Sequence, residues 1–508
     1  MLGFWSVAEY ALAELGAGQG FTPQTTTIYC SDRGFISKST DSLVSTAFPG
    51  RARQALRVSR SAIGARLAGI TSGRVGDIEI DNLDGLFDIE AAGYAVDGRT
   101  IVVRAVAPGG SYDDAELAFQ GSAKGWHFNG ETIRVQLADG AVKLDTPIQS
   151  VFYAGSGGKE GGDDIKGQPK PLCFGKAWNV EPVYLGVISG DDTYQVHNGQ
   201  INDVPACRDR VNALTKAASP PSAGEYSVDT SDGTIRLGST PVGPVTADVE
   251  GAAPSGTFKQ TTSTILRHVL DTHTSITDIE IDSAALATLD TDAPAVVGLY
   301  VPAQRTVRDV VGELIQGVGG YAGFDRTGRF TAGVFTTPAG AIRAVLDETN
   351  IVRAANRYLI ERVPLPVAIE PAAWRVRVGF KRNETVQAEA ASGAAEADRK
   401  FAAERYREAV ASDSDVSNRH LLATEVFVPA LYATSADAST EATRLLALYA
   451  PGRALYRVTA VRMSPEIDIG TTVRVQLARF GLDNGKLGRV ASIEIDAARG
   501  ETVLEVFV

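Results

Sequence analysis

The stretch "TVRVQLARFGLDNGKLGRVASIEIDAARGETVLEVF", residues 472–507, alternates apolar and polar side chains in three successive runs. Glycine, asparagine and aspartate residues separate the runs, as they do at turns between strands. Alternation with a period of two residues is typical of antiparallel sheets that keep one face in water. Together with a further run that starts at Ala454, it predicts a small closed or nearly closed β-barrel within residues 426–508.

The same alternation recurs upstream, in residues 100–106, 131–140 and 373–380, so we expect most of the chain to be β. Apolar residues at helical spacing predict helices at residues 262–273, 305–320, 398–410 and 439–452, the last with Ser439 or Thr440 as its N-cap. An amphipathic helix near the N-terminus is predicted from Phe4, Val7, Ala8, Ala11, Leu12 and Leu15. The predicted fold class is mainly β with α+β insertions, in a multi-domain chain of several small antiparallel β-barrels or sandwiches.

Length and loop composition divide the chain into several domains. Its 508 residues correspond to roughly three to four domains. Stretches with loop composition occupy residues 154–171, 216–225, 250–262 and 384–400. We predict an N-terminal helix and extended arm (1–45), an N-terminal β-domain (46–150), a loop-rich β-domain (151–255), an α+β middle domain (256–425) and a C-terminal β-barrel (426–508).

Composition and charge restrict the function classes. The net charge is −12 at pH 7, the pI is near 5.1, and 44% of the residues are hydrophobic. The hydrophobic share is sufficient for folded cores, and the acidic balance argues against wholesale nucleic-acid binding, which needs a basic face. Three widely separated cysteines without CxxC spacing argue against a disulfide scaffold or a structural zinc site, and they fit folding in a reducing cytoplasm.

Neither a transmembrane segment nor a signal peptide is predicted. No apolar run approaches the roughly 18 residues of a membrane-spanning helix. The N-terminus lacks a basic region and carries Glu9 and Glu14, which argues against a signal peptide. The amphipathic helix predicted there is expected to dock on another protein surface, because its polar face lacks the basic residues of membrane-binding helices.

The acidic stretch "IEIDNLDGLFDIE", residues 78–90, has the composition of a calcium loop. Its candidate ligands surround Gly85 and are Asp81, Asn82, Asp84, Asp88 and Glu90. With Gly85 at the glycine position of an EF-hand loop, the two positions that require Asp and Glu fall on Ile80 and Ala91. We therefore predict a strand, residues 77–81, that ends in an Asn/Asp/Gly turn.

Other candidate groups also have a structural interpretation. The glycine-rich stretch lacks phosphate-loop spacing, since Tyr153 occupies the first glycine position and Glu160 follows Lys159. Cys207 and His197 are candidates for nucleophilic catalysis, although no family motif surrounds them. We expect turn, surface or core roles for His127, His268, His273, His420, the acidic pairs 113–114, 163–164 and 191–192, and the aromatic residues Trp126, Phe128, Trp178 and Tyr184. No catalytic, cofactor-binding or metal-binding residue is assigned, which favours a structural or assembly protein.

Several motifs, taken in order, resemble baseplate hub and tail-tip proteins of tailed bacteriophages, including the hub components of gene transfer agents. The N-terminal third contains "DIEIDNLDGLFD" (77–88), "GRTIVVRAV" (98–106) and "AELAFQGSAKGWHFNGETIRVQLAD" (115–139). The pattern G-x-x-K-P-x-x-x-G-x-x-x-N follows in "IKGQPKPLCFGKAWNVEPVYL" (165–185). Further on come "GLYVPAQRTVRDVVGELIQGVGGYAGFDRTGRFTAG" (298–333), "IDIGTTVRV" (467–475) and "GKLGRV" (485–490). Together these motifs extend over most of the chain.

The resemblance implies a structural virion protein at the distal end of a tail tube, folded in the host cytoplasm. Such hubs are often trimeric, and two barrels per subunit can match a six-fold tube if the contacts close around the axis. The implied partners are other copies of the chain, distal tail and tail-tube proteins, the tape-measure protein, and tail-fibre or central-spike proteins, with indirect contact to the host envelope. No specific nucleic-acid binding is implied, but an acidic lumen would let DNA pass without sticking.

Two other functions remain open from the sequence. The first is a virion-borne or secreted carbohydrate-active enzyme on a β-scaffold, which requires two carboxylates that face a sugar across a groove. The second is a receptor-binding adhesin, which requires direct binding of the isolated chain to host cells.

Overall fold

A computed structural model of the chain describes residues 5–14, 25–54, 56–64, 66–88, 93–366, 369–370, 372–461, 466–496 and 499–508. The first part contributes the strands β1 (Trp5–Glu14), β2 (Thr25–Ser31), β3 (Phe35–Ile36), β4 (Ala47–Phe48), β5 (Ala52–Gln54), β6 (Arg57–Ser61), β7 (Gly69–Ile70), β8 (Ser72–Val75), β9 (Ile78–Asp81), β10 (Tyr94–Ala95), β11 (Thr100–Val106), β12 (Glu116–Phe128) and β13 (Thr132–Ala138). The next part contributes β14 (Leu172–Val180), β15 (Val183–Ile188), β16 (Asp191–Gln195), β17 (Ile201–Asp209), β18 (Asn212–Ala213), β19 (Thr215–Lys216), β20 (Glu225–Asp229), β21 (Thr234–Leu237) and β22 (Val245–Ala252).

Helices appear in the second half of the chain. Residues 262–363 contribute the helices α1 (Thr262–His273), α2 (Ser283–Asp292) and α3 (Val307–Gly317), and the strands β23 (Gly298–Val301), β24 (Gly320–Phe324), β25 (Phe330–Val334), β26 (Ala344–Leu346), β27 (Arg353–Ala354), β28 (Arg357–Tyr358) and β29 (Ile360–Val363). Residues 373–507 contribute β30 (Ala373–Phe380), α4 (Glu396–Ala403), β31 (Arg407–Ser412), α5 (Ser414–Arg419), β32 (Thr424–Pro429), α6 (Ser435–Leu448), β33 (Leu455–Val461), β34 (Thr472–Leu477), β35 (Leu482–Asp496) and β36 (Glu501–Phe507). None of the helices in the described ranges combines the length and apolar character needed to span a membrane.

The fold is mainly β with several small antiparallel sheets, as predicted, at 42% strand and 16% helix. The N-terminal sheet has the order β10–β1–β11–β12–β13–β9–β5, with β2 also paired to β1. Two five-stranded sheets follow, β18–β17–β22–β14–β23 and β15–β16–β21–β20–β19. The C-terminal sheet runs β26–β34–β35–β36–β33–β29, and β6 from the N-terminal part pairs with β35. The proposed domain boundaries stay a prediction.

Strand β14 connects the loop-rich β part of the chain to its helical part. On one edge it pairs with β22, and on the other with β23, where Gly175 lies opposite Gly298. A Cβ atom on Gly175 would collide with the carbonyl oxygen of Val297, and one on Gly298 with that of Lys176. The two paired backbones therefore approach each other so closely here that only glycine fits at both positions. We call this close approach at Gly175 and Gly298 the crossing of β14 and β23.

One expectation about the larger elements is wrong, and a second is narrowed. Trp5–Glu14 is not a helix but strand β1, which pairs with β11 on one edge and β2 on the other. A short helix is marginal in water, whereas ladders on both edges satisfy the backbone groups of the same residues. Phe4 and Leu15, which contributed to the helical pattern, lie outside the described residues. In the C-terminal sheet the described residues show no pairing between the end strands β26 and β29, so it is not a closed barrel, and the nearly closed form stays a prediction.

Most other helix predictions are confirmed in position but not at their ends. The helix expected from Ser439 or Thr440 begins at Ser435, because Thr434 is its N-cap and accepts a hydrogen bond from the Asp437 N–H at 3.2 Å. The helix near residue 400 ends at Ala403, and the residues that follow pair with β30 as β31. Helix α2 was not predicted.

We predict that Gly298→Ala destabilises the whole chain. The added methyl group meets backbone rather than a side chain that could move aside, so the free energy of unfolding should fall by about 3 kcal/mol. Gly125→Ala is the matched control, since nothing lies within 4 Å of its added Cβ atom. Chemical denaturation of both variants measures the difference. Equal stabilities would contradict the close crossing of β14 and β23.

Candidate functional site

The predicted strand is present as β9, and the acidic turn follows it. Asn82 is buried, at 1% exposure, and organises the turn. Its side-chain oxygen accepts a hydrogen bond from the Phe87 N–H at 2.9 Å, and its amide donates to Asp88 at 2.8 Å. Gly85 takes the left-handed conformation with φ of +68°. The amide side chain therefore closes the loop that a cation would close in a calcium site.

The carboxylates of this turn already bind arginine side chains and backbone N–H groups. Asp84 accepts a hydrogen bond from Arg51 at 2.8 Å, and this bond lowers the pKa of Asp84 to about 2. Asp81 lies 3.2 Å from Arg53 and accepts a hydrogen bond from the Leu83 N–H. In the described part of the chain, no group of three or more His, Cys, Asp and Glu side chains is arranged to hold a metal ion. Glu90 lies outside the described residues.

The glycine-rich stretch forms a folded loop that closes on its own backbone. The Gly157 N–H donates to the Gly161 carbonyl at 2.7 Å, and the Gly155 N–H donates to the Glu160 carbonyl at 3.0 Å. Lys159 pairs with Asp232, a contact that differs from the phosphate-directed lysine of a P-loop. Lys170 is 8% exposed and binds the Glu160 carboxylate at 2.6 Å.

Cys207 and His197 do not form a pair of catalytic nucleophile and general base. The Cys207 thiol is fully buried in the core beside β22, and burial raises its pKa to about 12. A thiol with this pKa stays protonated at neutral pH, whereas nucleophilic cysteines are thiolates. His197 uses its Nδ1 atom to accept a hydrogen bond from the Cys173 N–H at 3.0 Å.

Three of the five histidines meet around one buried phenyl ring. The ring centroid of Phe174 lies 6.4 Å from that of His197, 6.1 Å from His268 and 6.3 Å from His273. The rings of His268 and His273 are themselves 6.3 Å apart. A cavity of about 290 Å³ adjoins this group, which we call the histidine cluster. Sequence spacing missed it, because His197 is far from the other two along the chain.

The histidine cluster is uncharged at neutral pH. Burial lowers the pKa of His197 to about 3, and it lowers that of His273 to about 4 with a contribution from His268. Burial also lowers the pKa of His268, and the charge of Lys259 adds to the effect. The cluster therefore packs as three neutral imidazoles against Phe174.

The remaining candidates lie apart from one another, and several have structural contacts. Asp113 accepts hydrogen bonds from Ser42, and Asp192 accepts one from the Tyr184 hydroxyl at 2.7 Å. Asp163 and Asp164 lie in the folded glycine-rich loop. Other ring contacts pair Trp126 with Phe128 at 5.1 Å, Trp178 with Phe401 at 6.4 Å, and Tyr184 with Tyr194 at 5.0 Å. His127 lies on β12, and His420 follows α5.

We predict that Asn82→Ala lowers the free energy of unfolding by about 1–3 kcal/mol, because a buried N–H and a carboxylate lose their partner. Millimolar Ca²⁺ should leave the melting temperature of the wild-type chain unchanged, since no cation completes the turn. Thermal unfolding with and without Ca²⁺ measures both effects. A Ca²⁺-dependent rise in melting temperature that is lost in Asn82→Ala would contradict this description of the turn.

Comparison with known proteins identifies similar solved structures but no matching family model or curated protein. No protein-family model and no curated protein matches the chain. Its structure is similar to the tail protein from Neisseria meningitidis MC58, at 10% identity and a TM-score of 0.42, covering 99% of this chain and 96% of that one. It is also similar to the prophage MuSo2 43 kDa tail protein from Shewanella oneidensis, at 12% identity and a TM-score of 0.36, covering 91% and 94%. A chain from the virion of a native gene transfer agent particle matches at 16% identity and a TM-score of 0.41, covering 67% of this chain and 84% of that one.

Proposed function

We propose that this chain is a structural virion protein, a hub or tip component that closes the distal end of a phage-type tail tube. In this role it would organise ring assembly, host attachment and DNA ejection. The proposal rests on the pattern G-x-x-K-P-x-x-x-G-x-x-x-N, by which the sequence resembles tail hubs. The residues of this pattern make contacts that hold the fold together, and they do not form a catalytic or binding site.

Three polar or glycine positions of that pattern have structural contacts. Lys170 is buried and pairs with Glu160, and Gly175 allows the crossing of β14 and β23. Asn179 is fully buried with φ of +52°, and its amide donates to Asn383 at 2.9 Å and to the Thr385 carbonyl at 2.7 Å. Because the residues of this pattern join distant segments of the chain, they favour the function of an assembly protein over that of an enzyme.

The turn after β9 is the surface that we assign to contact with a second copy of the chain. Leu83 is 64% exposed and Leu86 is 53% exposed, although Asn82 holds the turn rigidly in place. Leu83 and Leu86 on this turn are the apolar surface that such a contact would cover. In a closed ring the same turn would meet the same neighbouring surface in every copy.

The acidic balance supports the proposed passage of DNA. A net charge of −12 opposes phosphate binding wherever acidic side chains line a lumen. Tail-tube, tape-measure and fibre or spike proteins are the proposed neighbours in the particle.

The alternative functions predict different behaviour of the isolated chain. A carbohydrate-active enzyme would release sugar from purified cell-wall material, and an adhesin would bind intact host cells by itself. The engagement of Cys207, His197, Asp84 and Asp192 in structural contacts favours neither of them. Sugar release by the wild-type chain would replace the structural proposal with the enzymatic one.

We predict that the purified chain forms a closed ring, with three copies as the expected number, and that Leu83→Ser combined with Leu86→Ser shifts it to monomers. Both side chains are exposed, so the melting temperature of the monomer should stay unchanged. Val242→Ser is the control, because Val242 is 85% exposed but lies outside the turn. Sedimentation velocity measures the mass of each species. A wild-type chain that stays monomeric at high concentration, or a double variant that still forms rings, would contradict the assignment of this contact.

A further inference from the structure

The histidine cluster lies where three separate segments of the chain meet. His197 follows β16, His268 and His273 lie on α1, and Phe174 belongs to β14. The segment at residues 148–151 forms another wall of the adjoining cavity. Any change of charge on the imidazoles therefore acts directly on the packing of α1 against β14.

Each imidazole has a hydrogen-bond partner, and the bond to His197 favours its neutral form. Nδ1 of His197 accepts from the Cys173 N–H, so a proton cannot bind there without loss of that bond. His273 is hydrogen-bonded to the backbone of Ile148, and Nδ1 of His268 lies 3.2 Å from the Thr272 hydroxyl. Protonation of His197 at Nδ1 would turn its acceptor into a donor that faces another donor.

The charged groups around the cluster do not compensate for added protons. Lys170 lines the cavity and is already paired with Glu160, while Lys259 repels charge on His268. Asp271 attracts charge on His268, but its carboxylate binds Arg267 at 2.8 Å. The other polar groups that line the cavity are uncharged: Gln149, Ser150, Asn198, Gln200 and Thr272.

We propose that the histidine cluster is an acid-sensitive joint, in which proton binding separates α1 from β14 while the surrounding sheets stay folded. The cavity of about 290 Å³ lets water reach the imidazoles when the joint opens. The N-terminal sheet has a core of its own, whereas Phe174 and the apolar face of α1 share one core with the C-terminal sheet. The N-terminal sheet therefore has no part in the opening. The joint does not depend on a role in a tail.

The direction of the pH effect follows from proton linkage. In the closed joint the pKa of His197 is about 3 and that of His273 about 4, whereas an imidazole in water has a pKa of about 6.5. The open state therefore binds more protons below about pH 6.5, and the closed state is fully stable only above that value. Between about pH 7 and about pH 5, each of these two histidines should raise the open-to-closed ratio about 20-fold.

Hydrogen–deuterium exchange of the full chain tests the joint. Exchange is measured at about pH 7 and about pH 5, corrected for the intrinsic pH dependence of amide exchange. Residues 262–273 should lose protection by at least about 20-fold on acidification. Strand β14, which stays paired with β22 and β23, and the strands β11 and β12 of the N-terminal sheet should keep theirs. Uniform loss of protection across all sheets, or no loss in α1, would overturn the proposal.

Glutamine variants identify the histidines that bind the protons. His273→Gln keeps a donor for Ile148 but cannot be protonated, so it should reduce the acid-induced loss of protection by about 20-fold. His268→Gln provides the same test if His273→Gln fails to fold, with a smaller reduction. His127→Gln and His420→Gln are matched controls outside the cluster and should behave as the wild type. Variants of the cluster that open with acid as the wild type does would overturn the proposal.

Discussion

The close crossing of β14 and β23 at Gly175 and Gly298 is the constraint on which the rest of this structure depends. At this point two backbones approach so closely that neither residue can carry a side chain. Strand β14 consequently belongs to the sheet of the loop-rich part and at the same time pairs with the first strand of the helical part. Backbone hydrogen bonds from the Glu384 and Thr385 N–H groups to the carbonyls of Trp178 and Asn179 add a second link between β14 and the helical part.

The crossing also determines the positions of Phe174 and Asn179, which lie on either side of it in β14. Phe174 precedes Gly175 and is placed under α1, where the histidine cluster encloses it. On the far side, Asn179 turns into the left-handed region and binds the segment at residues 383–385. One strand thereby positions a half-buried histidine cluster at one end and a buried amide network at the other. Both follow from a short sequence pattern whose residues are separated along a single strand.

Local alternation and helical spacing predicted the elements whose partners are close in sequence. Residues 373–380 and 262–273 were predicted at the observed bounds of β30 and α1, because period and capping residues are local properties. Strand β1 was mistaken for a helix, since its helical spacing is local while its partners β2 and β11 come later in the chain. The histidine cluster joins His197 to residues about 70 positions further on, so spacing could not reveal it. Gly175 and Gly298 can be read from the sequence, but only the pairing of β14 with β23 explains why both positions require glycine.

The central claim is that this chain is a ring-forming structural component at the distal end of a phage-type tail. Electron cryo-microscopy of particles that carry the chain tests the claim most directly, because it gives the symmetry and the neighbours together. The account predicts several copies arranged around the tail axis, in contact with tail-tube proteins and with the turn after β9 at a subunit boundary. A single copy away from the tail axis, or a chain absent from the particle, would contradict it.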